Sequence, residues 1–297
     1  MKALKIGNLL APVPIVQGGM GVGISLAGLA SAVADQGGIG VISSAGLGVI
    51  YKDYSKDYRT ASIWGLKQEL KKAREATKGI VGVNVMVAMS NFADMVRTAI
   101  AEKADIIFSG AGLPLNLPSF LTEGAKTKLA PIVSSARAAK LLCQKWFAEY
   151  KYIPDAIVVE GPKAGGHLGF TPEHISDPNY RLELLVPQVV EAVKALEDKA
   201  GHAIPVIAAG GVYTGEDIKK YMDLGASGVQ MGTRFVATYE CDADDRFKQA
   251  YVNAKQEDVT IIKSPVGMPG RALVNNFIES MRDGGKKPFK CIFHCVK

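Results

Sequence analysis

The chain has 297 residues, with 35 Lys or Arg against 29 Asp or Glu, a formal charge of +6, and 48% apolar and 22% charged residues. That balance excludes a disordered or fibrous chain, and four cysteines in this length exclude a disulfide framework. Five basic residues and one acidic residue fall in Arg282–Lys297, so the remainder is nearly balanced and offers no electrostatic footprint for nucleic acid.

No apolar leader with a small-residue cleavage site precedes Gln17. No apolar run approaches the roughly 18 residues of a membrane span. The cytoplasm is therefore the expected compartment, with no membrane partner.

In chain order, short apolar runs alternate with longer helical patterns. Pro14–Gln17 reads as a strand closed by Gly18 and Gly19. Ser25 reads as the cap of a helix to Asp35, with Leu26, Leu29, Ala30 and Val33 on one face. Ile39–Ser43 is the second strand. A long loop rich in tyrosine, Leu47–Ala61, leads to a helix at Ile63–Thr77. Ile80–Asn84 and Asp105–Ser109 are strands three and four, separated by a helix at Asn91–Glu102, and Pro118–Glu123 is a weak helix. Lys128–Val133 and Asp155–Glu160 are strands five and six, with a helix at Ser134–Tyr150 between them. An irregular insertion, Gly161–Arg181, precedes a helix at Leu182–Leu196. Ile204–Ala208 and Gly228–Met231 complete the strands, with helices at Gly215–Leu224 and Asp242–Ala254.

Strand–helix alternation of this kind points to an α/β fold with a parallel sheet. Eight strand candidates favour a closed TIM (β/α)8 barrel, with an irregular insertion after strand six, over an open doubly wound sheet. The turn Gly18–Gly23 lacks the G-x-G-x-x-G spacing of a dinucleotide loop, and no acidic residue near position 42 completes that pattern. Residues 1–276 are expected to form the barrel, and residues 277–297 a separate basic tail.

In such a barrel the reactive groups come from the C-terminal ends of the strands. Those ends deliver Gln17–Met20, Ser43–Gly46, Asn84, Ser109–Gly112, Ser134 and Ser135, Glu160, Ala209–Gly211, and Gln230–Thr233. Gly210, Gly211 and Gly232 let backbone amides approach a ligand, and Thr233 adds a hydroxyl. Loops after strands seven and eight are the recurrent phosphate grip of these barrels. The alternative is that these glycines only relieve crowding at tight turns. Met20, Met86, Met89 and Met231 lie near strand ends, where methionine lines flat ligands or fills the core.

His167 sits in Ala164-Gly165-Gly166-His167-Leu168-Gly169, flanked by glycines and so presented by backbone rather than by a helix face. An imidazole can take or give a proton near neutral pH, which makes His167 the candidate catalytic residue; the alternative is a histidine that only orders the insertion. His174 and His202 read as ordinary surface residues, and Cys143 and Cys241 as structural. Cys291, His294 and Cys295 have spacing that would permit a metal site, but no second ligand pair accompanies them, and no metal is expected.

Taken together, Gln17-Gly18-Gly19-Met20, Val83-Asn84, the segment Ala164–Gly169, Ala209–Val212 and Gln230–Thr233 resemble the nitronate monooxygenase family, formerly called 2-nitropropane dioxygenase. That family shares an FMN-binding TIM barrel with the flavin-dependent enoyl-acyl-carrier-protein reductases. The resemblance runs from Ile6 to Asn276. It implies non-covalent FMN, with Gly18, Gly19, Met20 and Asn84 along the ring and ribityl chain and Gly165 and Gly166 approaching the ring. Gly210, Gly211, Gly232 and Thr233 would hold the phosphate, with Gln230 beside them and Ser134 and Met231 completing the contacts. His167 would face a small-molecule substrate.

The implied activity is FMN-dependent oxidation of alkyl nitronates to a carbonyl compound and nitrite with O2. The alternative is reduction of enoyl thioesters using NAD(P)H as co-substrate. For that alternative, Lys52, Lys56, Lys67, Lys71, Lys72 and Arg74 would greet an acyl carrier protein, although a solvated helix face is the simpler explanation and the preferred one. By analogy with barrels of this class, a homodimer is expected. Two departures stand out: Lys163 occupies a position where many relatives carry Glu, and the loop Leu47–Ala61 is long.

Overall fold

The computed structural model describes residues 2–264 and 267–282. Eight parallel strands close a barrel: β1 (Ile15–Gln17), β2 (Ile39–Ser43), β3 (Ile80–Met86), β4 (Ile106–Gly110), β5 (Lys128–Val133), β6 (Ile157–Glu160), β7 (Val206–Ala209) and β8 (Gly228–Met231). Each strand pairs with its neighbours in chain order, and β8 closes on β1 with Met231 opposite Gln17. The (β/α)8 barrel expected from the strand count is the fold.

Successive strand residues point to opposite faces, so each strand divides its side chains between two cores. Val16, Val41, Phe108, Ala130, Val158 and Ile207 pack together inside the barrel. Their alternates, such as Ile42, Val83, Ile107, Val159 and Val229, pack outward with the helices. Among the described residues six helices pack on that outer face: α1 (Ala27–Asp35), α2 (Tyr58–Ala76), α3 (Phe92–Ala101), α4 (Ala136–Tyr150), α5 (Leu182–Ala200) and α6 (Gly215–Asp223), while a further helix, α7 (Asp245–Asn253), has no buried residue.

An N-terminal hairpin, Leu4–Ile6 with Leu9–Ala11, precedes the barrel. Its Leu4, Ile6 and Ala11 are buried in the inner cluster and plug the end where the strands begin. The sequence reading did not foresee this hairpin, because three-residue strands carry almost no periodic signal.

Two expectations at the helix termini fail. Ser25 does not cap α1, since its hydroxyl instead accepts from the Met20 amide at 2.8 Å and ties down the loop after β1. Distant carboxylates do the capping. Asp242 accepts from the amides of Leu26 (2.7 Å), Gly28 (3.0 Å) and Leu29 (3.1 Å), and Glu69 accepts from Ala27 (2.8 Å). Two anions at the positive end of the helix dipole do what a local hydroxyl would have done. The second helix begins at Tyr58 rather than Ile63, because Asp57 accepts from the Thr60 amide and starts it earlier. The long loop therefore shrinks to a helical turn, Leu47–Ile50, and a short connection.

A second hairpin was also not foreseen. Val259–Lys263 and Pro269–Leu273 pair antiparallel, and Gly166–His167 joins as a third strand. Neither face of Val259–Lys263 is fully buried, so its sequence lacks the half-buried alternation that marks a strand.

Candidate active site

The strand ends converge at the mouth opposite the N-terminal plug. Inner-face alternation carries Asn84 on β3, Glu160 on β6 and Gln230 on β8 to the top of the interior, and all three are only partly buried. Gly18 lies against Gln230, where an added Cβ would sit 3.3 Å from its Cγ. Gly19 lies against Asn84, with its Cβ position 2.3 Å from the Asn84 Cβ, so no side chain fits there. A Cβ added to Gly232 would sit 3.4 Å from the Met20 sulfur. The ends of β1, β3 and β8 thus form one contiguous wall.

The second wall comes from β5, β6 and β7. Gly210 and Gly211 both adopt φ of +92°. A Cβ on Gly210 would fall 2.8 Å from the Gly161 carbonyl oxygen, and one on Gly211 2.9 Å from the Lys163 Cβ. Packing against the loop after β6 therefore demands glycine here whether or not a ligand binds. Among the described residues, no acceptor pairs with the amides of Gly210, Gly211, Gly232 or Thr233. Ser134 meets the insertion, its hydroxyl lying 2.5 Å from where a Gly169 Cβ would be.

Met231 departs from the expected set. Its side chain is buried in the outer core with the helices, so only its backbone reaches the mouth. Met89 is likewise fully buried core.

His167 is half-buried on its short strand, opposite Gly270. Its ring has no hydrogen-bond partner among the described residues, and burial lowers its pKa below the usual imidazole value. Gly165 and Gly166 beside it are exposed, and among the described residues, apart from their chain neighbours, no atom lies within 4 Å of either Cβ direction. His174 stacks on Tyr180, and His202 is exposed.

Sequence reasoning placed Glu160 among the strand-end residues but gave it no role, and it missed Arg271 altogether. Glu160 ends β6 opposite Ala209, and burial alone pushes its carboxyl up to about 7. The alternation through Ala156 and Val158 was the signal that pointed it inward. Arg271 reaches the site only through the second hairpin, which no local pattern revealed.

Cys291, His294 and Cys295 lie outside the described residues, and among those described no His, Cys, Asp or Glu cluster could hold a metal ion. Of the basic residues proposed to meet a carrier protein, Lys67, Lys71, Lys72 and Arg74 pair with Glu102, Glu75, Glu69 and Asp105. Those pairings favour the solvated-face reading. No helix among the described residues is long and apolar enough to cross a membrane.

With this mouth in place, the comparison with known sequences is decisive: residues 2–103 and 91–296 match the nitronate monooxygenase family. The chain belongs to the nitronate monooxygenase family.

A Mycobacterium tuberculosis hydroxy-methyl-oxo-octahydro-indene-carboxyl-CoA dehydrogenase is 30% identical over 92% of this chain and 66% of its own length. This nitronate monooxygenase family member thus spans just under two thirds of that relative. A probable nitronate monooxygenase from Staphylococcus aureus is 29% identical over 90% of this chain and 77% of its own length. Among solved structures, FabK from Thermotoga maritima is 30% identical, with 91% of this chain and 74% of that chain covered and a TM-score of 0.70. A nitroalkane oxidase from Streptomyces ansochromogenes, 24% identical with a TM-score of 0.73 over 96% of this chain and 83% of that chain, shares the fold.

Proposed function

We propose that this protein oxidises alkyl nitronates to a carbonyl compound and nitrite, using FMN and O2. Two features of the structure support an FMN fit. The amides of Gly210, Gly211, Gly232 and Thr233 lack protein acceptors and would receive the phosphate oxygens. The open space beside Gly165 and Gly166 leaves room for a flat ring. In this reading Gly18, Gly19, Met20, Asn84, Ser134 and Gln230 line the cofactor's length, and Met231 contributes backbone. When bound, FMN supplies the redox chemistry, taking electrons from the substrate and passing them to oxygen.

The observation that carries the reading is His167. It stands on a two-residue strand just after two open glycines, with its ring half-buried and without a hydrogen-bond partner among the described residues. Burial lowers the pKa of its imidazole and so favours the neutral ring. A neutral imidazole is a base, and the proton it would take is the acidic C–H of a nitroalkane, received on a ring nitrogen. When the nitronate itself is supplied, His167 would orient the anion and shield it from water. The test is nitrite release from an alkyl nitronate under air by FMN-loaded protein. Rates no higher than free FMN would refute the reading.

A second reading, NAD(P)H-dependent reduction of an enoyl thioester, draws on the 30% identity to a CoA-ester dehydrogenase and to FabK. In that reaction His167 would orient the thioester carbonyl or protonate the α-carbon. A histidine whose neutral form burial favours is a poor proton donor, which is why the oxidative reading comes first. Anaerobic bleaching of bound FMN by NADH, with turnover only after a crotonyl thioester is added, would favour the second reading.

A further inference from the structure

We propose that Arg271 is a positioning residue that holds the backbone carrying His167, and that the hairpin Val259–Leu273 is thereby a working part of the site. The inference rests on the reading of His167 as the substrate-facing group, and its test is chosen to fail separately from that reading.

The segment from Gly161 to Gly169 contains four glycines and has little packing of its own at its tip. Ala164, Leu168 and Phe170 are buried and anchor its flanks. Between those anchors, Gly165 and Gly166 are exposed and, among the described residues, touch nothing but chain neighbours through their Cβ directions. A chain of this composition has many accessible conformations, so His167 needs an external support to occupy one place.

The second hairpin supplies that support in two ways. Its strand Pro269–Leu273 pairs antiparallel with Gly166–His167, Gly270 opposite His167 and Arg271 opposite Gly166, and the Leu168 amide donates to the Pro269 carbonyl at 2.9 Å. One guanidinium nitrogen of Arg271 donates to the carbonyl oxygens of both Pro162 and Ala164, each at 2.7 Å. The strand fixes the histidine side of the loop and the guanidinium fixes the side that leaves β6.

The chemistry of the donor explains the residue type. Arginine offers a planar, permanently charged group with several N–H donors, so one side chain can serve two carbonyls and remain held by its stem. A lysine ammonium is a compact point charge that prefers water, and it would reproduce the pair of bonds poorly. Among the described residues no carboxylate pairs with Arg271, and burial lowers its pKa. A half-buried cation whose seen contacts are two loop carbonyls is costly as a stabilising device. Its effect is concentrated on the one segment that presents His167.

The experiment uses full-length, FMN-loaded protein as wild type, Arg271→Lys and Arg271→Ala. Hydrogen exchange is followed at the amides of residues 164–168, and the His167 ring is titrated by NMR. The expected result is exchange at least about tenfold faster in Arg271→Ala, with Arg271→Lys between the two. The His167 pKa should move up toward its solvated value as the loop opens. With a substrate that turns over, kcat should fall by up to about 100-fold while FMN affinity stays within a factor of two or so.

Unchanged exchange and an unchanged His167 titration in Arg271→Ala would overturn the proposal. Loss of FMN affinity in both variants with the loop still protected would overturn it too, by making Arg271 a ligand contact. Should Arg271→Ala not fold, Arg271→Lys alone decides by the same two readouts. If the loop loosens as expected but the wild type turns over neither nitronate nor thioester, the positioning role stands and the reading of His167 falls.

Discussion

The two ends of the barrel are built from the same inward-facing register yet are chemically opposite. At the strand beginnings the interior is closed by Leu4, Ile6 and Ala11, all buried and apolar. At the strand ends the same alternation delivers Asn84, Glu160 and Gln230 with glycines between them. A plugged end contributes burial energy and tolerates no polar group without a partner. An open end surrenders packing and keeps polar atoms unpaired for a ligand. Stability and function therefore occupy opposite ends of one set of strands, and substitutions at each end should separate them.

The sharpest separation is expected at His167. His167→Ala should cut turnover by about 10²–10⁴-fold while leaving the melting temperature within a degree or two of wild type, because it removes a proton-transfer group from a half-buried ring. Steady-state kinetics and a thermal melt on the same sample check both halves. A large loss of stability would mean that His167 orders the insertion instead.

At the plugged end the converse should hold. Ile6→Ala removes a fully buried side chain from the inner cluster and should cost about 2–5 kcal/mol by chemical denaturation. FMN affinity of the folded fraction should be unchanged. If flavin binding weakened along with stability, the two ends would be coupled through the barrel core.

Glu160 is the place where the contrast blurs, since this polar group at the open end is partly buried and its carboxyl feels that burial. Its folded pKa is raised to about 7, above the ordinary carboxylate value of the unfolded chain. The folded protein therefore holds a proton that the unfolded chain releases between roughly pH 4.5 and 7. Stability from this group is full below that window and is lost as pH rises through it. Glu160→Gln should abolish that loss and stabilise the protein by about 1–3 kcal/mol at pH 8 relative to wild type, with little difference at pH 4. Urea melts at the two pH values measure it. Equal differences at both would show that folding does not raise the pKa of this carboxyl.

The smallest effect concerns the pH dependence of proton abstraction. Burial lowers the His167 pKa, so the neutral base persists to more acidic pH than a free imidazole. The acid limb of kcat/KM for a neutral nitroalkane should lie below about 6.5, and in Arg271→Ala it should move up toward that value. A limb at or above the solvated value in wild type would remove the burial argument.

Much of this was legible in the chain itself, for identifiable reasons. Residues 39–43, 128–133 and 228–231 read correctly to the residue because short apolar runs bounded by glycine or polar residues admit few alternatives. The wall of Gly18, Gly19, Asn84 and Gln230 followed from strand order and the rule that barrel chemistry sits at strand ends. Met231 was misjudged in part because a list of strand-end residues ignores parity; its neighbour Gln230 faces inward and it does not.

The sequence by itself determined the barrel, because strand count and alternation are local properties summed along the chain. It also determined the family, through short motifs whose spacing survives without coordinates. The tertiary structure alone decided what caps α1, since Asp242 and Glu69 are far from it in sequence. It alone brought Arg271 to the carbonyls of Pro162 and Ala164, across more than a hundred residues. Contacts of that separation leave no periodic trace in either partner, because what one residue needs is supplied by another that no local pattern ties to it.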